Sequence, residues 1–543
     1  MALSLSAEQK SVDDIFFAND QYIIPNYQRP YSWGFEQCNQ LYVDLLDAYH
    51  HKQDYFIGNI IIARSQEERK RPQVVDGQQR LMTIWLLLKV LSVLCPNLDI
   101  DSQYLTIPSK RKDGEQLLKI KSDVFETKDE TNIGILYKYS KSEFIIRLGQ
   151  VIDKKSEIKE LSCSSRFEYA ALLFFQNLCN SSEDKLNDFT DFVLENVYLL
   201  PIELNGINMA EANDKALTIF ETINNRGMSL ENADIFKAKL YNKALTAHTE
   251  ETFKTQWKEF RLAVDDLNLS IDDIFRYYSH IIRGRENIIS SEKNLRDFFL
   301  LDSASPLFKN EYAETMSDLM RIVNILQDLN ALSIEDFLLG PWLQIINAYT
   351  NIYPKYAIVN YLYVNNDYNK EKLLRVLKSL IRYVYSFGAS TSVKFEIYKI
   401  INKISQKTDI NDYCVTDKEF DYNKFRTLRK GYALLYYYLK GGKLLTDFWY
   451  DKLLANGDVE ALKNKSWTDE SINDAISSIA NTIVIDIPVK RKKMFDKYAY
   501  YNANAKIPSP SSIFFNSACA SSDFDRYYAD YSLEMNKFFF SKI

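Results

Sequence analysis

Histidine is the rarest residue of this 543-residue chain, with four copies, His50, His51, His248 and His280. A histidine-based catalytic site is therefore excluded from residues 281–543. The six cysteines, Cys38, Cys95, Cys163, Cys179, Cys414 and Cys519, form no C-x-x-C pair. That excludes a disulfide framework or zinc knuckle and leaves buried, reduced thiols as the expectation. Fifteen glycines and twelve prolines are few for this length, which favours helices joined by short connections. The first twenty residues carry no basic stretch followed by an apolar core. The most apolar run, Leu81 to Leu94, is interrupted by Lys89 and falls short of the roughly 20 residues of a membrane span. A cytoplasmic protein without membrane contact is expected. No Walker A run exists, since Gly442-Lys443 lacks both the upstream glycine and the following Ser or Thr. A net charge of −6 excludes a generally basic surface, so any nucleic-acid contact must be a local patch. What is abundant is tyrosine (37) and phenylalanine (32), within 46% hydrophobic and 26% charged residues. This is a globular composition, and the length implies more than one core.

The chain is organised around Val74-Val75-Asp76-Gly77-Gln78-Gln79-Arg80-Leu81. β-branched residues run into an Asp-Gly turn that opens straight into the apolar run, which reads as strand, tight turn and helix start. Glycine admits a ligand close to the backbone. The first helical turn offers unpaired N–H groups and the positive dipole end, which suit a phosphate. Arg80 adds a guanidinium in that turn. Asp76 can hold a metal ion, orient a water or accept from a ribose hydroxyl. The same pattern also describes an ordinary turn whose Arg80 makes a structural ion pair.

Upstream, residues 7–20 read as a short helix and Gln21 to Ile24 as a strand. Pro25 and Pro30 then keep Pro25-Asn26-Tyr27-Gln28-Arg29-Pro30-Tyr31-Ser32-Trp33 out of any helix. Such a loop can stack a base and grip a phosphate, or simply pack its aromatics on the core. A helix is expected over Phe35 to Tyr49, with Asp44 facing solvent. Tyr55 to Ala63 reads as a buried strand containing Gly58, Arg64 to Arg71 as a hairpin loop, and Gln73 to Val75 as its return. After Pro96 the chain reads as irregular. Lys110 to Gly114 reads as an exposed loop, and 115–196 as helical. Val197 to Leu204 is a strand suited to join the early sheet, and Ala210 to Ile223 a helix. Gly227 suits a left-handed C-cap and Ser229 an N-cap for a helix over Leu230 to Ala244. That corner places Asn224, Asn225 and Arg226 in its bend, where Asn and Gly also serve a plain turn.

Three blocks together, Ile24 to Trp33, Asp76 to Leu81, and Phe220 to Gly227 with Leu230 and Asp234, carry a resemblance. Tyr55-Phe56-Ile57-Gly58 falls between the first two. Residues 10–245 resemble the N-terminal domain of the GmrSD-type modification-dependent restriction enzymes, which is related to the ParB/sulfiredoxin-like fold. The resemblance implies an α+β protein: a small α/β domain with helical insertions over 1–245, and a mostly helical 246–543. It implies anti-phage defence, with NTP (GTP or ATP) bound and hydrolysed, Mg²⁺ assisting, and modified phage DNA sensed. Carried over by position, Asp76, Gln78 and Arg80 take the catalytic roles. Gln28, Arg29, Gly77, Gln79, Asn225 and Arg226 hold the nucleotide. Phosphoryl chemistry needs fixed positive charge and a positioned water, and Arg29, Arg80 and Arg226 are expected to converge on one anion.

The second half departs from the family, whose self-sufficient members end in a histidine-containing nuclease motif. The absence of histidine after His280 rules out a His-Asn-His site there. Either cleavage belongs to a separate nuclease subunit or the second half has another role, a carboxylate-metal nuclease included, although no compact Asp/Glu-x-Lys cluster stands out. A non-hydrolysing module that binds nucleotide or DNA and recruits that subunit is the alternative, and oligomers are compatible with either. Tyrosine-rich stripes over Leu373 to Phe387, Tyr432 to Leu439 and Phe495 to Tyr501 read as helix packing. Arg283-Gly284-Arg285 and Lys490 to Lys493 are candidates for tracking a phosphate backbone. Ile507 to Ser522 reads as a loop, and Phe538 to Phe540 as docking on the body.

Overall fold

The computed structural model describes residues 5–109, 116–124, 128–153, 157–224, 232–301, 304–366, 369–387, 393–407, 421–488, 500–501, 503–505 and 520–540. Two compact units emerge. One comprises Met1–Lys258 with Lys309–Ala313, the other Glu259–Phe308 with Glu314–Ile543. The architecture is α+β, with the large mixed sheet in the first unit and helices dominating the second. Among the described residues no helix is long and apolar enough to cross a membrane.

The strands of the first unit are β1 (Leu5–Ala7), β2 (Lys10–Ser11), β3 (Tyr22–Ile24), β4 (Tyr55–Ser65), β5 (Gln73–Asp76), β6 (Thr106–Pro108), β7 (Gln116–Leu118), β8 (Ile120–Ser122) and β9 (Val197–Gly206). The sheet runs β1-β9-β4-β5-β3-β8, with β2 also on β9, while β6 and β7 pair by themselves. β4 and β5 are the antiparallel hairpin expected from the charged stretch between them, offset by a bulge at Ile61/Ile62. β9 joins the early sheet as expected, running parallel to β4 from Tyr55↔Val197 to Ser65↔Gly206. Two expectations need correction. Residues 7–20 contain only a six-residue helix, α1 (Val12–Phe17), preceded by β1 and β2. Residues 115–196 are not wholly helical, because Ile120 to Ser122 adds a parallel edge strand to β3.

The helices α2 (Phe35–His51), α3 (Gln78–Leu94), α4 (Asp129–Tyr137), α5 (Lys141–Val151), α6 (Arg166–Leu178) and α7 (Glu183–Glu195) cover the sheet and one another. They are followed by α8 (Met209–Asn224), α9 (Asn232–Thr246) and α10 (Glu250–Asp266). α3 is apolar all round, as a helix buried on every side must be. Leu81, Ile84, Trp85, Leu86, Leu87, Leu88, Val90 and Leu91 have no exposed surface. At about 1.5–3 kcal/mol per fully buried large side chain, this helix fixes the core and with it the turn at its start. Lys89, also buried, reaches Asp101 at 3.8 Å and lies over the Tyr137 ring. Asp44 accepts from Tyr55 and Gln40 near the surface.

Among the described residues the second unit is a helical assembly with a small two-stranded antiparallel sheet, Trp449–Lys452 against Thr482–Ile485, which the helical expectation missed. The tyrosine stripes over Leu373 to Phe387 and Tyr432 to Leu439 pack as expected, while most of Phe495 to Tyr501 lies outside the described residues. Tyr385 and Tyr432 are buried, and their hydroxyls donate to the carbonyls of Ile345 (2.8 Å) and Tyr385 (2.7 Å). Phe538 stacks on Trp342 and Phe539 is fully buried, so this end of the chain docks on the second unit. The thiols of Cys38, Cys95, Cys163 and Cys179 are free. Cys414, Cys519, Lys110 to Gly114, Lys490 to Lys493 and most of Ile507 to Ser522 lie outside the described residues.

The candidate functional site at the start of α3

The turn between β5 and α3 is built around Gly77. Its φ of 81° is left-handed, and a Cβ there would sit 2.5 Å from Ile60 Cγ2 and 2.9 Å from the Asn59 carbonyl oxygen. Only glycine meets both conditions, so β5 can lie against β4 and still turn at once into α3. Gln78, Gln79 and Arg80 follow as the first helical turn, whose N–H groups have no acceptor within the helix.

Gly58 performs the matching service on β4. It has a φ of 132° at the bulge between Phe56 and Gly58 where β4 meets β9. The guanidinium of Arg80 passes over it, with Nε 3.4 Å from where a Cβ would be. Arg80 donates to the Asn59 carbonyl at 2.9 Å. Among the described residues neither Arg80 nor Arg29 forms an ion pair, so the structural ion pair open to Arg80 in the sequence is not what it makes.

The proline-bounded loop is fastened to this turn by three glutamines. Gln79 donates to the Pro30 carbonyl (3.1 Å) and accepts from the Ser32 N–H (2.9 Å). Gln28 donates to the Val75 carbonyl (2.7 Å) and accepts from Gln78 (3.0 Å), whose second N–H goes to the Arg29 carbonyl (3.0 Å). The amides of Gln28 and Gln79 are thus committed within the protein at both ends. Gln78 keeps its Oε1 as an acceptor. Tyr27 and Tyr31 are packed inward, Tyr27 against Tyr241 and Tyr31 stacked on Phe167 at 4.8 Å. For these two, the packing alternative describes the loop correctly.

The result is a cavity of about 210 Å³ whose walls include Gln28, Arg29, Asp76, Gly77, Gln78, Gln79 and Arg80. Seven of the nine positions singled out in the sequence therefore meet in one place. Asn225 and Arg226 lie outside the described residues. Burial pushes the Asp76 carboxyl above its ordinary value, opposed by Arg80, by the Gly77 N–H and by Arg29. Trp33, part of the loop read as able to stack a base, is a wall residue, and so are Gln37 and Asp234, which sequence reasoning did not assign to the site. Asp234 was visible only as part of the third block, and it sits in the first turn of α9. Among the described residues no group of three or more His, Cys, Asp or Glu side chains is arranged to hold a metal ion.

Residues 12–241 match the family described as GmrSD restriction endonuclease, N-terminal domain. This region is similar to a GmrSD-type N-terminal domain. All nine candidate positions fall inside the matched span, and the domain places the chain in a restriction, anti-phage setting. No curated protein matches the chain.

The basic pair Arg283 and Arg285 requires a correction. Arg283 is buried in the second unit, its guanidinium 4.5 Å from the Tyr398 ring centroid and donating to the Ser290 carbonyl. Arg285 pairs with Asp318 at 3.4 Å and donates to Tyr363 at 3.0 Å. Arg283 is thereby withdrawn from any phosphate track, whereas Arg285, though paired, stays exposed at the surface of the second unit. His280 is buried too, stacked on Tyr356, with Nε2 2.7 Å from Glu292. Burial pushes the His280 pKa down, opposed by Glu292, and the close imidazole helps hold the Glu292 carboxyl at about 2 against its own burial.

Proposed function

We propose that the GmrSD-type domain binds a nucleoside triphosphate, GTP or ATP, in the cavity at the start of α3 and hydrolyses it. The hydrolysis is coupled to sensing of phage DNA and to control of a nuclease carried by a separate subunit in the cytoplasm. The observation that carries this reading is the meeting of two guanidiniums, Arg29 and Arg80, with a glycine-capped helix start and a half-buried carboxylate around one cavity. Fixed positive charge and helix N–H groups stabilise the charge that develops on transferring phosphoryl oxygens. Asp76, on the cavity wall, orients the attacking water or holds a metal ion. The free Oε1 of Gln78 orients that water. The donor set on the cavity, Asp76 with Asp234, suits Mg²⁺, which takes one or two carboxylates and completes its shell with phosphate and water. Such an ion neutralises phosphate charge when bound.

The test is phosphate release from GTP and ATP by the full chain, with and without phage DNA, for wild type, Asp76→Ala and Arg80→Ala. Turnover in wild type alone, with all three proteins melting cooperatively, supports the reading. Equal rates in the three proteins overturn it.

A further inference from the structure

At about 210 Å³ the cavity is smaller than the ~300–1,000 Å³ typical of sites that enclose a whole small-molecule ligand. Its charged floor, Arg29, Arg80 and the first turn of α3, is matched to phosphates, so the remainder of a nucleotide must lie along the rim. Two side chains of the wall, Trp33 and Gln37, belong to that rim.

The loop that precedes α2 holds three aromatic rings, and they differ in what they touch. Tyr27 and Tyr31 are covered, and their hydroxyls are engaged, Tyr27 with Asn213 at 3.4 Å and Tyr31 with Thr83 at 2.8 Å. Trp33 is half-buried. It packs in part against the core of the first unit, yet among the described residues its indole meets no other ring and its N–H has no acceptor. A large flat side chain in that state is costly to keep unless something covers it. Its position is not left to chance either. Gln79 grips the backbone on both sides of Tyr31, so the residue entering α2 is fixed relative to the helix turn that faces the phosphates. Gln37, on the same cavity wall, uses its Oε1 to cap the Gly34 N–H at 3.1 Å, which leaves its Nε2 as a donor among the described residues.

We infer that Trp33 is the stacking platform for the base of the bound nucleotide, with Gln37 donating to the base edge. The inference rests on the nucleotide reading above. It predicts that the protein distinguishes a nucleotide from its bare phosphates through one side chain. Stacking on an aromatic face has a strength that does not depend on base identity in detail. Both purine nucleotides therefore gain from Trp33, and choice between them falls to hydrogen bonds such as that of Gln37.

The experiment compares binding of a non-hydrolysable ATP analogue, its GTP counterpart and inorganic tripolyphosphate, by calorimetry with the full chain. Wild type is set against Trp33→Ala, Trp33→Tyr and Arg80→Ala. The expected result is that Trp33→Ala weakens both nucleotides about tenfold or more. It leaves tripolyphosphate unchanged, while Trp33→Tyr restores most of the loss. Unchanged tripolyphosphate binding also shows that the cradle is intact, so a merely structural Trp33 would move both ligands together. If Trp33→Ala binds nucleotides as wild type does while Arg80→Ala loses all three ligands, the platform is overturned and the phosphate site stands. If wild type binds none of the three, the nucleotide reading fails and this inference with it.

Discussion

Arginines in the two units look alike in the sequence and live in opposite circumstances. Arg29 and Arg80 border a cavity and make no ion pair among the described residues, Arg80 being steadied by a backbone carbonyl alone. Arg283 and Arg285, with only Gly284 between them, are held by Tyr398, Ser290, Asp318 and Tyr363. A guanidinium satisfied by its own protein has little left to offer a ligand. One held in place by a single neutral acceptor keeps its charge and most of its donors for an anion. What decides function is therefore the set of partners assembled from distant parts of the chain.

The comparison can be broken most directly at Arg80. Arg80→Ala is expected to lower NTP turnover by about 100-fold or more, the usual cost of losing a fixed donor to a transferring phosphoryl group. A steady-state phosphate-release assay checks this, and retained turnover would make Arg80 structural after all. A paired arginine elsewhere in the same unit gives the next effect. Arg147 forms a two-pronged contact with buried Glu168, at 2.7 and 3.0 Å. Burial raises the Glu168 carboxyl, but Arg147, the Ser164 N–H and the Tyr139 hydroxyl outweigh it and hold it at about 2. Because the folded value is depressed, the stabilisation is complete above the ordinary value of 4.5 and is lost as pH falls from there towards 2. Glu168→Gln should cost about 3 kcal/mol at neutral pH and flatten the acid limb of a stability-versus-pH curve from urea melts.

Arg283→Ala sharpens the contrast from the other side. It should destabilise the second unit by about 2 kcal/mol, the scale of a buried hydrogen bond to a charged group, while phosphate release per folded molecule stays at the wild-type rate. A thermal melt read beside the turnover assay separates the two effects, and a selective loss of turnover would restore a ligand role to this pair. The smallest effect belongs to Arg71, whose 3.6 Å contact with Glu68 is on the surface and largely solvated. Arg71→Ala should leave both melting temperature and turnover unchanged within error.

Much of the site was legible because its signals are local. An Asp-Gly turn between a β-branched pair and an unbroken apolar run can only be a strand meeting a buried helix. A glycine inside a buried strand marks close approach, and Gly58 proved to be where Arg80 passes. What stayed hidden depends on contacts between residues far apart. Nothing near Arg283 announces Tyr398, and nothing near Arg285 announces Asp318. The edge strand Ile120 to Ser122 escaped notice because three residues carry too little pattern to separate a strand from an irregular connection. Gln79 illustrates a subtler gap. Its spacing marked it as a site residue, but only the contacts reveal that its amide fastens the loop bearing Trp33.

The pairing of Tyr55 with Val197 carries a consequence for synthesis. Strand β4 positions Arg80 through Gly58 and Asn59, yet its parallel neighbour leaves the ribosome only after α7 has been made. Contacts that bridge so long a stretch form slowly, since the intervening chain must first be gathered in. A nascent chain halted before β9 would thus expose one flank of β4 and leave the strand that positions Arg80 unsupported on that side. This domain gains its chemistry late in translation, after most of its length already exists.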